Sequence, residues 1–417
     1  MIAILLAVVL LVVGGIHYYL WKRLVKDTTR SRRGRIIGSV IAVLLALVIP
    51  ATLALSRALP HAQQPIVAWP GYLWLALMFY LLVTLAMLEI PRLAVRLWQR
   101  RSRPAPSALP DVSDDPDVSD EPDVSGKDDA GAFAAEAPMV DPGFDASRRL
   151  VLGRSLAVTA GVLSASAVGI GVYQAMGAPN LKRVPIRLAK LPRSMDGFRI
   201  AVVSDIHLGP LLGRSHTERI VRMINGVDAD LVAVVGDLVD GSVAELGSAA
   251  EPLQDLRGKH GSFFVTGNHE YFSGFQEWVD EVNSLGVRVL RNERVDVLGL
   301  DLAGVNDLSG EDVGDGPDFA KALDGRDANR PVVLLAHQPI QAHEAAKHGV
   351  DLQLSGHTHG GQMVPFNLLV GLQQPIVAGL GTVDGTQVYV TRGAGFWGPP
   401  VRFGAPPDIS IVELHGA

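Results

Sequence analysis

Five short segments of this 417-residue chain carry side chains of the kinds that bind cations. They hold Asp205 and His207 in Ser-Asp-Ile-His, Asp237 and Asp240 after Gly236, and Asn268, His269 and Glu270 after Gly267. The other two hold His337, and then His357 and His359 in Gly-His-Thr-His. All the donors are oxygens or imidazoles, a set suited to Zn, Fe, Mn or a similar first-row ion. The chain has no cysteine, which excludes thiolate ligands, disulfides and cysteine nucleophiles. Residues i and i+2 of an extended chain project to the same side, so Asp205 and His207 are expected to reach one ion together. His357 and His359 share that spacing, or face two neighbouring ions if the turn between them splays. Gly236, Gly267 and Gly356 each precede a candidate ligand, where glycine permits a strained backbone and close approach. Each motif alone is weak, because an Asp-x-His is more often a capped turn and a lone histidine more often a core residue. The inference rests on their joint, ordered occurrence.

Positioning such groups requires a frame. Arg199–Val203, Leu231–Val235, Ser262–Thr266, Val332–Leu335 and Asp351–Leu354 read as strands, several apolar throughout, as strands buried on both faces are. Thr217–Asn225 and Phe275–Ser284 read as helices between them. The class is α/β, and every candidate segment follows a strand, where α/β folds bind ligands.

The ordered set Asp-x-His, Gly-Asp-x-x-Asp, Gly-Asn-His-Glu, His, Gly-His-x-His resembles the calcineurin-like metallophosphoesterases over about Lys190 to Leu414. Ser355–Gln362 and Gly398–Ile409 are similar to the membrane-associated bacterial branch of that family. The resemblance implies a four-layer fold of two mixed β-sheets packed face to face and flanked by helices. It implies one metal on Asp205, His207, Asp237 and His359, and a second on Asp237, Asn268, His337 and His357, with Asp237 bridging through its two oxygens. It implies a hydroxide held between the metals (Mn, Fe or Zn) that attacks phosphorus in a phosphomonoester or phosphodiester. His269, adjacent to a ligand yet not needed as one, is then expected to protonate the leaving oxygen or to stabilise charge there. Asp240 is the candidate to orient His269, and Glu270 a candidate to orient a ligand.

The rest of the chain is of another kind. At 48% hydrophobic before its 44 glycines are counted, and only 19% charged, it is too apolar to be one ordinary soluble protein. The apolar runs Ile2–Leu20, Ile36–Leu55 and Leu73–Ile90, and a weaker one at Leu156–Met176, match the ~20 helical residues that span a bilayer. The expected organisation is a membrane region over 1–100 with three transmembrane helices and an acidic Pro/Ser/Asp-rich disordered linker over 101–147. A fourth transmembrane helix or internal signal-anchor follows over 148–180, then the metallophosphoesterase domain over 185–417. Basic residues cluster at 22–35, 92–103 and 148–154, and the positive-inside rule puts these in the cytoplasm. The protein is then a multi-pass membrane protein with its catalytic domain on the extracytoplasmic side. Ser147–Leu152 resembles a twin-arginine export signal, and Ala175-Met176-Gly177 offers a small-residue cleavage site.

The expected partners are a phosphate-ester substrate, of lipid or envelope-precursor type among others, and the membrane lipid bilayer. The net charge of -6 hides strong local asymmetry and is no nucleic-acid signal, no nucleic-acid binding is expected, and no residue pattern sets an oligomeric state. The competing reading is a membrane sensor or scaffold whose metal site is structural and turns nothing over. A transporter is disfavoured, because the first three runs carry almost no charge, a single Glu89 at the end of the third.

Overall fold

A computed structural model describes residues 2–101 and 142–416. Four long helices come first: α1 (Ile2–Trp21), α2 (Arg32–Ala58), α3 (Gln64–Arg101) and α4 (Pro142–Met176). They cover the four apolar runs. Among the described residues three spans are long and apolar enough to cross a membrane, at Arg32–Ser56, His61–Pro91 and Leu150–Met176. α4 begins inside the stretch read as linker, and 102–141 lie outside the described residues.

Contacts divide the chain into two compact units, one of residues 1–42 with 81–162, the other of 43–80 with 163–417. The first unit is helical and tied by a few polar contacts. Arg23 Nη2 pairs with Glu89 Oε1 at 2.8 Å, and Arg154 Nε donates to the Thr28 carbonyl at 3.0 Å.

The second unit contains twelve strands. In chain order they are β1 (Asn180–Leu188), β2 (Phe198–Val203), β3 (Leu231–Val235), β4 (Ser262–Val265), β5 (Arg288–Val289) and β6 (Glu293–Val297). Then come β7 (Leu300–Gly304), β8 (Val332–Leu335), β9 (Leu352–Ser355), β10 (Gly379–Val383), β11 (Thr386–Val390) and β12 (Asp408–Gly416). One six-stranded sheet has the order β1-β12-β2-β3-β4-β5, the other β10-β11-β9-β8-β7-β6. Both are mixed: β2 through β5 run parallel, whereas β12 meets β2 antiparallel and β1 parallel.

The period-two alternation of strand side chains decides the layering. Ile200 and Val202 of β2, with Leu231, Ala233 and Val235 of β3, pack against Leu302, Val333, Leu335, Leu352 and Leu354 of the opposite sheet. The intervening Ala201, Val203, Val232 and Val234 face outward. There they meet α5 (Arg214–Asn225), α6 (Val243–Ala250) and, beyond the short α7 (Asn268–Phe272), α8 (Phe275–Ser284), which buries Trp278. On the far side Val332, Leu334 and Ala303 pack on α9 (Phe319–Leu323) and α10 (Ala342–Lys347). The unit therefore has the layers helix, sheet, sheet, helix, and an apolar run such as Leu231–Val235 is buried on both faces. Each such fully buried Val, Leu or Ile contributes roughly 1.5–3 kcal/mol. A last short helix, α11 (Asn367–Val370), lies in the connection between β9 and β10.

Candidate metal centre

The loops that leave β2, β3, β4, β8 and β9 meet at one place. Asp205, His207 and His359 each offer a ligand atom within 4.8 Å of the others, as do Asp237, His337 and His357. His207 Nε2 lies 3.0 Å from His359 Nε2, and Asp205 Oδ1 lies 3.4 Å from the same His359 nitrogen. In the second cluster Asp237 Oδ2 lies 3.1 Å from His337 Nε2, and Asn268 Oδ1 lies 3.0 Å from His357 Nδ1. The clusters meet at Asp237, whose Oδ2 is also 3.8 Å from His207 Nε2. Its other oxygen accepts the His269 backbone N–H at 2.9 Å, so a single oxygen, rather than two, faces both clusters. His357 and His359 fall in different clusters, which resolves their alternative spacings in favour of the splayed turn.

The backbone reaches this arrangement by a route that extended geometry does not supply. Asp205, His207, Asp237, His357 and His359 have φ of 52°, 49°, 54°, 71° and 51°. Left-handed backbone is uncommon for residues with a Cβ and costs on the order of 1–3 kcal/mol each. Asp205 and His207 therefore converge because both turn left-handed, not because an extended strand projects them alike. Such strain persists only where the surroundings over-determine it. Here both Asp205 oxygens accept the His357 N–H at 3.0 Å. A Cβ on Gly356 would lie 1.9 Å from Ser204 Oγ and 2.4 Å from Asp205 Oδ2, so only glycine lets the loops approach this closely.

The imidazoles are fixed by their second nitrogens. His337 Nδ1 donates to the Val235 carbonyl at 2.8 Å, which leaves Nε2 as a lone pair, buried and with no hydrogen-bond partner. That lone pair points at a carboxylate oxygen 3.1 Å away. Two acceptors at that separation repel unless a positive charge lies between them, which a proton on Nε2 supplies when no metal ion does. His207 Nδ1 sits 3.0 Å from Asp240 Oδ1, which orients its Nε2 in the same way. This donor set fits cation binding, with oxygen and imidazole atoms converging and their outer atoms held by carboxylates and carbonyls.

The electrostatics reflect such protons, and His207, against burial, is raised to about 9 by Asp240, Asp237 and Asp205. Burial resists charge on His337, yet the facing Asp237 holds its pKa well above the ordinary value. Asp237 is held well below its own usual range, against burial, chiefly by the His337 charge. Burial, then the charge on His337, pushes His357 down to about 3. His359 is pushed well down by burial, then by His207 and Arg402. Both therefore stay neutral, the form that ligates metals.

His269 stands at the edge of the centre. Its Nδ1 lies 2.6 Å from Asp240 Oδ1, the oxygen that also faces His207. It groups with His207 and Asp237 within the 4.8 Å limit as well. Phe272 and Trp397, both largely exposed, flank its ring at 5.8 and 6.0 Å. Glu270 is fully buried and accepts three backbone N–H groups, from Gly267 at 2.6 Å, Asp237 at 3.0 Å and Leu238 at 2.8 Å. It thus staples the β4 loop to the β3 loop through main chain, not through a ligand side chain.

Two further groups were not singled out as members of the centre by residue type. Arg402 is fully buried, its Nη1 lying 3.0 Å from His359 Nδ1 and donating to the His359 carbonyl at 3.0 Å. Asp307, also fully buried, accepts both Gln338 Nε2 contacts at 3.0 Å next to His337. Asp307 follows β7 as the other groups follow their strands, and recognising Leu300–Gly304 as a strand is the signal that reveals it.

The comparisons with known proteins agree with this geometry. A family model described as calcineurin-like phosphoesterase matches residues 198–361. An uncharacterized metallophosphoesterase of Helicobacter pylori strain J99 is 42% identical over 247 residues, 58% of this chain and 66% of that one. A Danio rerio protein named transmembrane protein with metallophosphoesterase domain is 40% identical over 274 residues, 62% of this chain and 63% of its own. An uncharacterized metallophosphoesterase of Aquifex aeolicus is 35% identical over 257 residues, 60% of this chain and 98% of its own. The chain thus spans slightly under two thirds of the first two relatives and nearly all of the third. The fold, the converging loops and these matches together place the chain in the calcineurin-like phosphoesterase family.

Proposed function

We propose that this protein is a membrane-anchored, metal-dependent phosphoesterase that hydrolyses phosphate esters at an extracytoplasmic site. The observation that carries the reading is the position of Asp237 Oδ2, 3.1 Å from His337 Nε2 and 3.8 Å from His207 Nε2. One carboxylate oxygen between two imidazole clusters is an arrangement for a pair of cations.

In this reading Asp205, His207, Asp237 and His359 hold one ion, and Asp237, Asn268, His337 and His357 the other. Mn, Fe or Zn suits the donors. Such a pair, when bound, neutralises phosphoryl oxygens and lowers the pKa of water toward ~7. The remaining work belongs to the chain. Asn268 supplies a neutral oxygen, which limits the negative charge that a phosphate would meet. Asp240 holds His269 by Nδ1, 2.6 Å away, which fixes the ring and leaves Nε2 to deliver a proton to the leaving oxygen. Phe272 and Trp397 flank that ring at 5.8 and 6.0 Å.

The anchor consists of α1 through α4. Basic segments at 22–35, 92–103 and 148–154 stay in the cytoplasm by the positive-inside rule, so the chain after Met176 lies on the other side. The purified full chain, in detergent with Mn²⁺, tests the activity on bis-p-nitrophenyl phosphate and p-nitrophenyl phosphate. Chelator-sensitive turnover of either ester is expected. Two bound ions with no turnover would instead favour a scaffold with a structural metal site.

A further inference from the structure

Between the β9 loop and β10 the chain runs from Met363 to Val383 for 21 residues without one Asp, Glu, Lys or Arg. It holds α11, and its large apolar side chains are turned to the outside: Leu372 is 83% exposed, Leu368 69%, Leu369 57% and Phe366 45%. A soluble domain rarely displays so contiguous an apolar patch without a partner. Two sets of contacts identify what covers it.

The first set joins this face to the long helices. Phe366 meets Phe79 of α3 at 6.5 Å between ring centroids, and Phe403 meets Tyr80 at 5.6 Å. Val401 packs among Ala76, Tyr80 and Ala167, and Arg402 N donates to the Gly171 carbonyl at 2.9 Å. Ala167 and Gly171 lie nine and five residues before α4 ends at Met176. At 1.5 Å per residue these contacts are roughly 7–14 Å inside the end of the helix. Residues 79 and 80 likewise lie six and seven residues inside the Leu73 end of the apolar run Leu73–Ile90, roughly 9–11 Å by the same rise. The exposed leucines are thus continuous with a seam at the depth of headgroups and upper acyl chains. The second set joins the face to the metal centre. A Cβ on Gly361, two residues after His359, would lie 2.4 Å from Asn367 Cα at the start of α11. Gln362 in turn donates to the carbonyls of Trp397 and Pro399 at 2.9 and 3.1 Å.

We infer that the Met363–Val383 segment is a bilayer-inserted rim, with Phe366, Leu368, Leu369 and Leu372 among the acyl chains of the leaflet that α4 leaves at Met176. The phosphoester that reaches the metals is amphiphilic and keeps its acyl chain in that leaflet. The substrate half of this inference rests on the phosphoesterase reading; the insertion half rests on the helices spanning the bilayer.

The absence of native cysteine allows single nitroxide labels on the full chain in phospholipid nanodiscs. The sites are Leu369→Cys, Leu372→Cys, Val158→Cys on α4 and Leu298→Cys in the β6–β7 turn. Labels at 369, 372 and 158 are expected to collide preferentially with oxygen, and the label at 298 with a water-soluble nickel chelate. Water exposure at 369 and 372 with lipid exposure at 158 overturns the rim. Water exposure at 158 overturns the anchor and the rim with it. In the second arm, Leu368→Ser/Leu369→Ser/Leu372→Ser is compared with the unaltered chain. The variant should hydrolyse bis-p-nitrophenyl phosphate at an unchanged rate and lose at least about tenfold on hexadecyl p-nitrophenyl phosphate in the nanodiscs. Equal effects on the two esters overturn the substrate half. If the unaltered chain turned over neither ester, the phosphoesterase reading would fall, and the label depths would still decide the insertion.

Discussion

The two clusters of the metal centre share Asp237 and differ in what stands behind them. The cluster of Asp205, His207 and His359 is backed by charged side chains, Asp240 on His207 and Arg402 on His359. The cluster of His337, His357 and Asn268 is backed at His337 by a main-chain carbonyl, Val235 O, and among the described residues its one grouped carboxylate is the shared one, with the buried Asp307 nearby. The first is set by electrostatics that one substitution can alter. The second is set by strand geometry and would hold a cation with less negative charge among its ligands. A pair built this way should bind two ions of unequal strength, with the weaker one beside Asn268.

Four substitutions test this contrast. The largest effect should come from Asp237→Asn, because both clusters lose their shared charge. Metal content measured by plasma mass spectrometry should fall to one ion or fewer per chain, and kcat/KM by at least about 10³-fold. Two ions retained at full affinity would break the pairing. His269→Ala should lose about 10²–10⁴ in kcat while both ions stay bound. Loss of an ion instead would make His269 a ligand, in line with its grouping with His207 and Asp237. Next, Asp240→Asn should weaken one ion by ~10–100-fold and leave the other unchanged in a chelator competition. Equal weakening of both would erase the contrast between charged and main-chain backing. The smallest effect is expected from Glu270→Gln. An amide oxygen cannot satisfy three N–H groups as a carboxylate does, so chemical unfolding should show a loss of about 1–3 kcal/mol. No change would mean that the loops are aligned by something other than this staple.

The parts of the frame that sequence reveals are those whose local pattern decides their fate. β2, β3, β4 and β8 are short runs buried on both faces, and each is followed at once by a chemically loaded loop. Thr217–Asn225 and Phe275–Ser284 lie within α5 and coincide with α8. β1 reads poorly because charged residues and Pro185 interrupt it, and it makes sense only beside β12. β7 is short, opens on the turn after β6 and carries Asp301 inside it, so its pattern is weak and Asp307 is hidden with it. That Asp237 stands between the two clusters is what the family resemblance implies, but that one of its oxygens faces both depends on the His269 N–H, which no spacing rule contains. Arg402 raises the same difficulty. From its sequence neighbours it reads as a phosphate contact or an ion-pair partner, while the fold buries it against a histidine from another loop.

The position of β12 has a consequence for how the protein is made. It lies between β1 and β2, and Asn180 is paired with Asp408, 228 residues further along. Closing a loop of that length is entropically slow, and the nucleus that forms from β2, β3 and β4 must wait for it. During synthesis β1 has no neighbour and β2 presents an open edge until the 408–416 segment has emerged. The nascent domain is therefore exposed to edge pairing with other chains throughout this interval, and a chaperone that masks β2 would act at that step.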